Sequence, residues 1–391
     1  MSPMKIALDV SSAARPQLTG VAMYIRRLTG AYARMNAELS GAEKHRFTLV
    51  TRASRPKNIF HRMPLPEGAG QSFKHKLMIE GLHPVFARSI DVFHGLDARL
   101  PGVWMKAPTV VTIHDVFSSL QSTEFATAEF RAMKAKRYGE LLRRADRIVC
   151  VSNSVKRDVL ETLKPDPAKL RVVYEAGGEA FFPRDPEAVA AVRKKYALDR
   201  PYFIFVGSIN RRKNVPAMVR AFLQARAAAK SEMIFAIAGR VGYGGEEIQA
   251  AIGQPGGGAG TIKLLGYVPD EDVPALYCGA RALLFATLYE GFGIPAVEAF
   301  ACGCPVIGAN VGSLPEIVGD AGVLADPRSE DSIAAQIAAL MTDDRLRDEL
   351  ARKGLERAKL FSWDKAAREC LEIYRELAGK GGPDSGAIGV A

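Results

Sequence analysis

Glu290 and Glu298 are the side chains from which a chemistry can first be read. They stand in the string Glu290-Gly291-Phe292-Gly293-Ile294-Pro295-Ala296-Val297-Glu298, directly after the apolar run at 282–286. Such a run predicts a buried strand. Glu290 then lies in the loop at the strand's end. Gly291 and Gly293 let backbone come close to a ligand and adopt unusual torsions. Pro295 suits the first turn of a helix, which puts Glu298 about one turn in. Free N–H groups at that helix start form a polar cradle. Two carboxylates beside it would accept hydrogen bonds from sugar or ribose hydroxyls. An isolated pair of acids at this spacing reads equally well as a capped helix start with two solvated charges, so the surrounding elements have to decide.

Those elements alternate. Lys5–Val10, Phe47–Thr51, Ile90–Phe93, Thr109–Ile113, Arg147–Val151 and Val172–Tyr174 read as strands. Val21–Met35 and Arg131–Arg144 read as helices, and Ser152-Asn153-Ser154 as an N-cap before a helix at 155–163. The pattern restarts with strands at 202–206, 233–238, 262–265, 282–285 and 305–308 and a helix at 215–229. Strand–helix alternation of this kind predicts α/β architecture with parallel sheets. Two Rossmann-like units are expected, 1–180 and 181–362, joined by a polar connector near 180–196 that holds Pro183 and Pro186. A last helix, 363–378, is expected to return to the first unit, and the Gly-rich tail 379–391 to be disordered. The glycine run at 253–260 reads as a loose loop, and Ser72–Ser89, mixing basic and apolar residues, as an amphipathic helix that could touch a membrane surface.

Composition removes several classes. Of 391 residues, 48% are hydrophobic and 25% charged, which is ordinary for a globular protein. No apolar run approaches the length of a membrane span, and the N-terminal run is too short for a signal peptide. Five cysteines, odd and sparse, do not make a secreted disulfide scaffold. Cys302-Gly303-Cys304 has neither the spacing nor the companions of a metal or redox site. A cytoplasmic protein is the expectation. The net charge of +10 is uneven: residues 1–178 hold 28 Lys and Arg against 16 Asp and Glu, a balance of +12, and the remainder is at −2. A basic half attracts an anionic partner. A G-x-G-x-x-G after the first strand, a Walker A loop and a G-x-S-x-G elbow are all missing, as is a D-x-D at a strand end.

Extended to residues 289–322, YEGFGIPAVEAFACGCPVIGANVGSLPEIVGDAG, the acidic string resembles the donor-binding signature of glycosyltransferase family 4, the retaining GT-B enzymes. FVGSINRRKNVPAMVRAF resembles the segment that opens the family's second domain. Lys213 then matches its diphosphate-binding lysine. The arginine usual just after the strand's glycine is replaced by Ser208, and Arg212 stands where a second charge is needed. LGYVPDEDV places Gly266, Tyr267 and Val268 beside the nucleotide base. In the first unit, Thr19-Gly20-Val21 resembles the loop that approaches the diphosphate, and TIHDVF the segment with an active-site histidine, here His114.

The resemblance implies a GT-B fold and transfer of a hexose, mannose from GDP-mannose before any other, from a nucleotide-sugar to a saccharide in surface polysaccharide or glycolipid assembly. Glu298 would hold the ribose, Lys213 and Arg212 the diphosphate, and Glu290 with the backbone of Gly291, Phe292, Gly293 and Ile294 the donor sugar. Gly20 and His114 would face them from the acceptor side. Neither metal nor cofactor is implied. The basic first unit suggests a lipid-diphosphate-linked acceptor at the inner membrane face. UDP-sugars remain open as donors. A basic nucleic-acid-binding protein is the distant alternative; it leaves both acids without purpose, and nucleic acid is not an expected partner.

Overall fold

The computed structural model describes residues 3–14, 19–53, 63–78, 89–101, 106–116, 127–240, 250–251 and 260–379. The tail expected to be disordered lies outside them from residue 380 on, as does the glycine run apart from Gly260.

Runs such as Thr109–Ile113 and Tyr202–Phe205 are buried along their whole length, the pattern of strands covered on both faces. They assemble into two parallel sheets. The first contains β1 (Lys5–Asp9), β2 (Arg46–Arg52), β3 (Phe73–Met78), β4 (Val92–Gly95), β5 (Thr109–Ile113), β6 (Arg147–Cys150) and β7 (Leu170–Val172), in the order β3-β2-β1-β4-β5-β6-β7. The second contains β8 (Tyr202–Val206), β9 (Ile234–Ala238), β10 (Ile262–Gly266), β11 (Leu283–Phe285), β12 (Val306–Ala309) and β13 (Val323–Ala325), in the order β10-β9-β8-β11-β12-β13. Each is a doubly wound sheet. Chain direction across the sheet reverses at β1/β4 in the first and at β8/β11 in the second, and loops at the carboxyl ends of such strand pairs open into a crevice.

Among the described residues the first unit has the helices α1 (Gly20–Ala37), α2 (Ala128–Arg144) and α3 (Asn153–Leu163). Those that follow are α4 (Pro186–Lys195), α5 (Val215–Ala228), α6 (Val273–Gly279), α7 (Ile294–Ala301), α8 (Leu314–Val318), α9 (Glu330–Thr342), α10 (Asp344–Ala358) and α11 (Trp363–Leu377). Alternate residues of the first sheet serve different cores. Ile6, Leu8, Val92, Val110 and Val149 pack with α1 and α11. Ala7, Phe93, Val111, Ile148 and Cys150 join a core that runs on into the second unit.

Two segments differ from expectation. The connector at 180–196 contains α4: Asp185 accepts from the Ala188 N–H at 2.7 Å and Pro186 opens the helix, so the proline starts an element instead of breaking one. The segment expected as an amphipathic helix begins with β3, paired in parallel with β2. Phe73 and Met78 are buried while Lys74 and Lys76 are exposed. Lysines on an edge strand discourage pairing with other chains. Residues 79–88 lie outside the described residues.

α11 presents Trp363, Ala366, Ala367, Cys370, Leu371 and Tyr374 on one stripe and lies against α1 of the first unit. The Tyr374 hydroxyl is 2.9 Å from that of Tyr32 and 2.5 Å from His94 Nδ1. His94 Nε2 is 2.8 Å from Thr112 Oγ1. Burial, helped by the charge of His114, pushes His94 down from 6.5 to about 3, so the folded protein keeps it neutral while the unfolded chain protonates it. Stability from this site is therefore complete above about pH 6.5. It is lost as pH falls from there toward 3, at up to about 1.4 kcal/mol per pH unit. His94→Gln should flatten the decline in urea midpoint between pH 7 and 5; an unchanged slope would show that His94 is not the group responsible.

Candidate active site

β8 and β11 are neighbours at the reversal point of the second sheet, so the loops that follow them face each other. The β8 loop is built by asparagines. Asn210 accepts the Lys213 N–H at 3.2 Å and shapes a tight turn at Arg211–Lys213. Asn214 adopts a left-handed φ of 58°. Its amide donates to the carbonyls of Ala286 (3.0 Å) and Pro327 (2.8 Å), which ties the turn to the β11 loop. Further stitches are the Leu288 N–H to the Arg212 carbonyl at 2.9 Å and Arg212 Nη1 to the Tyr289 carbonyl at 2.9 Å.

This frame brings three sequence-predicted residues together. Lys213 Nζ donates to Glu290 Oε1 at 2.6 Å, and Arg212 Nη1 lies 3.4 Å from Glu290 Oε2. Lys213 also sits 5.0 Å above the Phe285 ring. Burial alone would raise the Glu290 pKa, but Lys213 first and Arg212 second hold it below the ordinary carboxylate value. Burial, with Arg212 adding to it, pushes Lys213 down against the pull of Glu290. Two cations share the Glu290 carboxylate, and the charge of Asp115 acts on both of them as well.

The Glu290 backbone is fixed as well. Ser313 donates from Oγ to the carbonyls of Glu290 (3.1 Å) and Phe292 (2.7 Å). Gly312, at a φ of 63°, lies so close that a Cβ would come within 2.8 Å of the Glu290 carbonyl oxygen. Gly293 turns the chain into α7 at a φ of 101°. Phe292 is buried in a three-ring cluster with Tyr174 and Phe361, and Ile294 is the first residue of α7.

The first unit closes against this loop. A Cβ on Gly291 would sit 1.8 Å from the His114 carbonyl oxygen, so only glycine permits the approach. Ser152 Oγ donates to the Gly291 carbonyl at 2.6 Å, Tyr289 Oη to Asp158 Oδ2 at 2.5 Å, and the Ser154 N–H to Glu316 Oε1 at 3.2 Å. His114 itself turns inward. Its Nδ1 is 2.9 Å from Glu175 Oε1 and its Nε2 2.9 Å from the Leu96 carbonyl. Both partners accept, so both nitrogens carry protons. Burial works against that charge, yet Glu175 raises the pKa above 6.5. The ring is thus committed to the first unit, and the His114 backbone carbonyl is what reaches the opposite wall.

Glu298 is not part of the Lys213–Glu290 cluster. It is buried in α7 and bound by Arg27 of α1, Nη2 to Oε1 2.8 Å. Burial raises its pKa, and Arg27 opposes the rise. Gly20 is the exposed first residue of α1, capped by Thr19. Ser208 is exposed at the end of β8, with its Oγ accepting from Asn210 at 3.2 Å. Gly266 and Tyr267 are exposed at the end of β10, where the Arg240 guanidinium lies 4.9 Å from the Tyr267 ring centre, and Val268 is buried. Sequence reasoning assigned no role to Ser313, Glu175 or Arg27. Ser313 sits inside the quoted signature; Glu175 and Arg27 carry no local signal, because their partners are 61 and 271 positions away.

Two family models and several known proteins match this chain. Residues 190–357 match the family model described as "Glycosyl transferases group 1", and residues 18–176 the one described as "Glycosyltransferase Family 4". The chain is 32% identical over 287 residues to the O-antigen chain mannosyltransferase B of Escherichia coli, covering 73% of this chain and 74% of that protein. It is 30% identical to the D-inositol 3-phosphate glycosyltransferase of Salinispora arenicola over 72% of this chain and 66% of that one. Among solved structures, Anabaena HepE in complex with UDP and glucose superimposes with a TM-score of 0.75 at 17% identity, covering 95% of this chain and all of the other.

The inward pairing of His114 is open to a direct test. Its contribution to stability is present below pH 6.5 and is lost as pH rises through the raised folded value. In a histidine-detected NMR titration, His114 should titrate above 6.5, and Glu175→Gln should lower that midpoint by a unit or more, roughly the effect of losing one close charge partner. An unchanged midpoint would show that Glu175 does not hold the imidazolium.

Proposed function

The chain belongs to glycosyltransferase family 4, with its α/β GT-B fold, and on that premise we propose that it transfers mannose from GDP-mannose to a saccharide hydroxyl with retention at the anomeric carbon. The observation that carries this reading is the buried Lys213–Glu290–Arg212 cluster at the β8/β11 crevice. The most similar relatives described above include a mannosyltransferase, which favours that sugar.

Lys213 and Arg212 would meet the diphosphate, whose negative charge grows as the sugar departs. Preorganised cations in a water-poor site act most strongly on such developing charge. Glu290, kept ionised, would accept a hydrogen bond from a hydroxyl of the donor sugar while the N–H groups opening α7 donate nearby. Glu298 would accept from the ribose. The bond between the anomeric carbon and the phosphate oxygen breaks, and one to the acceptor oxygen forms on the same face. The acceptor proton passes to the departing phosphate, so no protein nucleophile and no metal ion is required. Gly291 lies against the His114 carbonyl and its own carbonyl accepts from Ser152, contacts that would help keep water from competing.

A lipid-linked acceptor at a membrane surface has support from α2. Its exposed face carries Phe130 and Met133, 41% and 56% exposed, beside Lys136 and Arg137. Since β5 ends at the crevice and α2 leads back to the start of β6, these apolar residues lie toward the crevice end of the first unit. Among the described residues no helix is long and apolar enough to cross a membrane, so the contact would be peripheral.

GDP should raise Tm more than UDP or ADP, and NMR of the product should show the anomeric configuration of the donor. A preference for UDP would transfer the reading to a UDP-sugar, and an inverted product would overturn the mechanism. Lys213→Ala should lower kcat/KM by roughly 10²-fold or more; normal turnover would remove the cluster from the active site. Sedimentation with phosphatidylglycerol vesicles should be lost in Phe130→Ser/Met133→Ser and weakened by salt, whereas neutral vesicles should bring down little protein.

A further inference from the structure

Arg27 makes a buried ion pair that links α1 to α7. Its Nη2 is 2.8 Å from Glu298 Oε1, with 16% of the Arg27 and 10% of the Glu298 side chain exposed. Backbone has been cleared to admit the guanidinium: a Cβ on Gly178 would fall 2.7 Å from Nη2 and 3.0 Å from Cζ. Phe181 covers it, with its ring centre 5.8 Å from Cζ. Nη1 is buried and has no hydrogen-bond partner among the described residues. Packing reaches Glu298 from the other side too, since a Cβ on Gly177 would lie 3.5 Å from its Cγ. The Gly177 carbonyl accepts from Trp363 Nε1 at 2.8 Å. Arg27 is therefore seated where α1, the chain passing from the first unit to the second, and α7 meet.

A carboxylate so buried stays ionised only with a close cation. An ionised carboxylate has about four acceptor positions. Arg27 and the Gly178 backbone N–H take up part of that capacity on Glu298, and the rest is what a hydroxyl donor would use.

We propose that Arg27, from the acceptor-side unit, is the positioning residue that holds Glu298 charged and aimed for the ribose of the donor, so that nucleotide binding in one unit depends on the seating of the other. This rests on the reading of Glu298 as the ribose acceptor. Arg27 touches neither sugar nor phosphate in this scheme; its effect passes through Glu298. It predicts a separation of kinetic constants. Loss of Arg27 should weaken the hold on the nucleotide without altering the chemical step once donor is saturating.

The test is calorimetric titration with GDP and UDP, paired with donor kinetics, on Arg27→Gln, Arg27→Lys, Glu298→Gln and the double variant Arg27→Gln/Glu298→Gln. Arg27→Gln should weaken binding of the preferred nucleotide by about tenfold or more, as expected when one member of a buried pair is removed. Donor KM should rise in parallel and kcat stay within about threefold. Arg27→Lys should recover most of the affinity. In the Glu298→Gln background, Arg27→Gln should add little. Thermal unfolding of each variant separates folding from binding, and the double variant, which has no unpaired buried charge, keeps the comparison available if Arg27→Gln alone is unstable. If Glu298→Gln binds nucleotide normally, the ribose reading of Glu298 fails. If Glu298→Gln binds weakly while Arg27→Gln binds normally, or if the two losses are additive, the role of Arg27 fails and that of Glu298 stands. A lowered Tm with unchanged affinity and KM would make the pair purely structural.

Discussion

A carboxylate removed from water beside two cations sets the terms for the second unit. Glu290 could not be buried alone, because an isolated buried charge is strongly disfavoured. Lys213 and Arg212 offset that cost only while the loops after β8 and β11 hold their geometry. Losing one partner of such a pair typically costs about 3–5 kcal/mol, which explains the number of groups given to holding the frame. Asn210 shapes the turn, Asn214 ties it to the β11 loop, and Ser313 anchors two carbonyls of the glycine-containing loop. The two cations are thus held in place by the fold itself, and fixed charges of this kind need no reorganisation to act on a neighbouring group.

The second constraint is closure between the units. Gly291 lies against the His114 carbonyl, Ser152 reaches the Gly291 carbonyl, and Tyr289 and Glu316 contact α3 and its N-terminus. α11 then carries the chain back onto α1, and the shared core of the first sheet and the second unit continues beneath. The two units thus meet through backbone and a hydroxyl at Gly291, and through the side chains of Tyr289 and Glu316 beside it. These contacts fix distance closely and leave little room for substitution.

Buried histidines in the first unit show how position alone divides one residue type. His94, surrounded by hydroxyls in the core, is held neutral; His114, one strand over, is held charged by Glu175. Burial acts in the same direction on both, and the carboxylate reverses the outcome at only one. The charged ring braces the backbone whose carbonyl meets Gly291, so the chemistry of the His114 side chain reaches the crevice as geometry.

The sequence by itself determined the parallel α/β architecture, the two units and the Glu290–Ile294 loop, because strand runs, glycines and prolines act locally and leave a local pattern. It also set Lys213 and Glu290 just after strands that can be recognised as such. Pairing was another matter. That Lys213 meets Glu290, 77 residues on, follows from β8 and β11 becoming neighbours in the second sheet. That Glu298 meets Arg27, and that His114 turns to Glu175 and not to the crevice, follows from how helices and units pack. The segment at 73–78 became an edge strand because β2 offered it hydrogen bonds, and Pro186 opened a helix because Asp185 capped it. Ion pairs between distant positions have no signature in the chain, since only the folded backbone brings the two charges within range and takes away the water that would otherwise screen them.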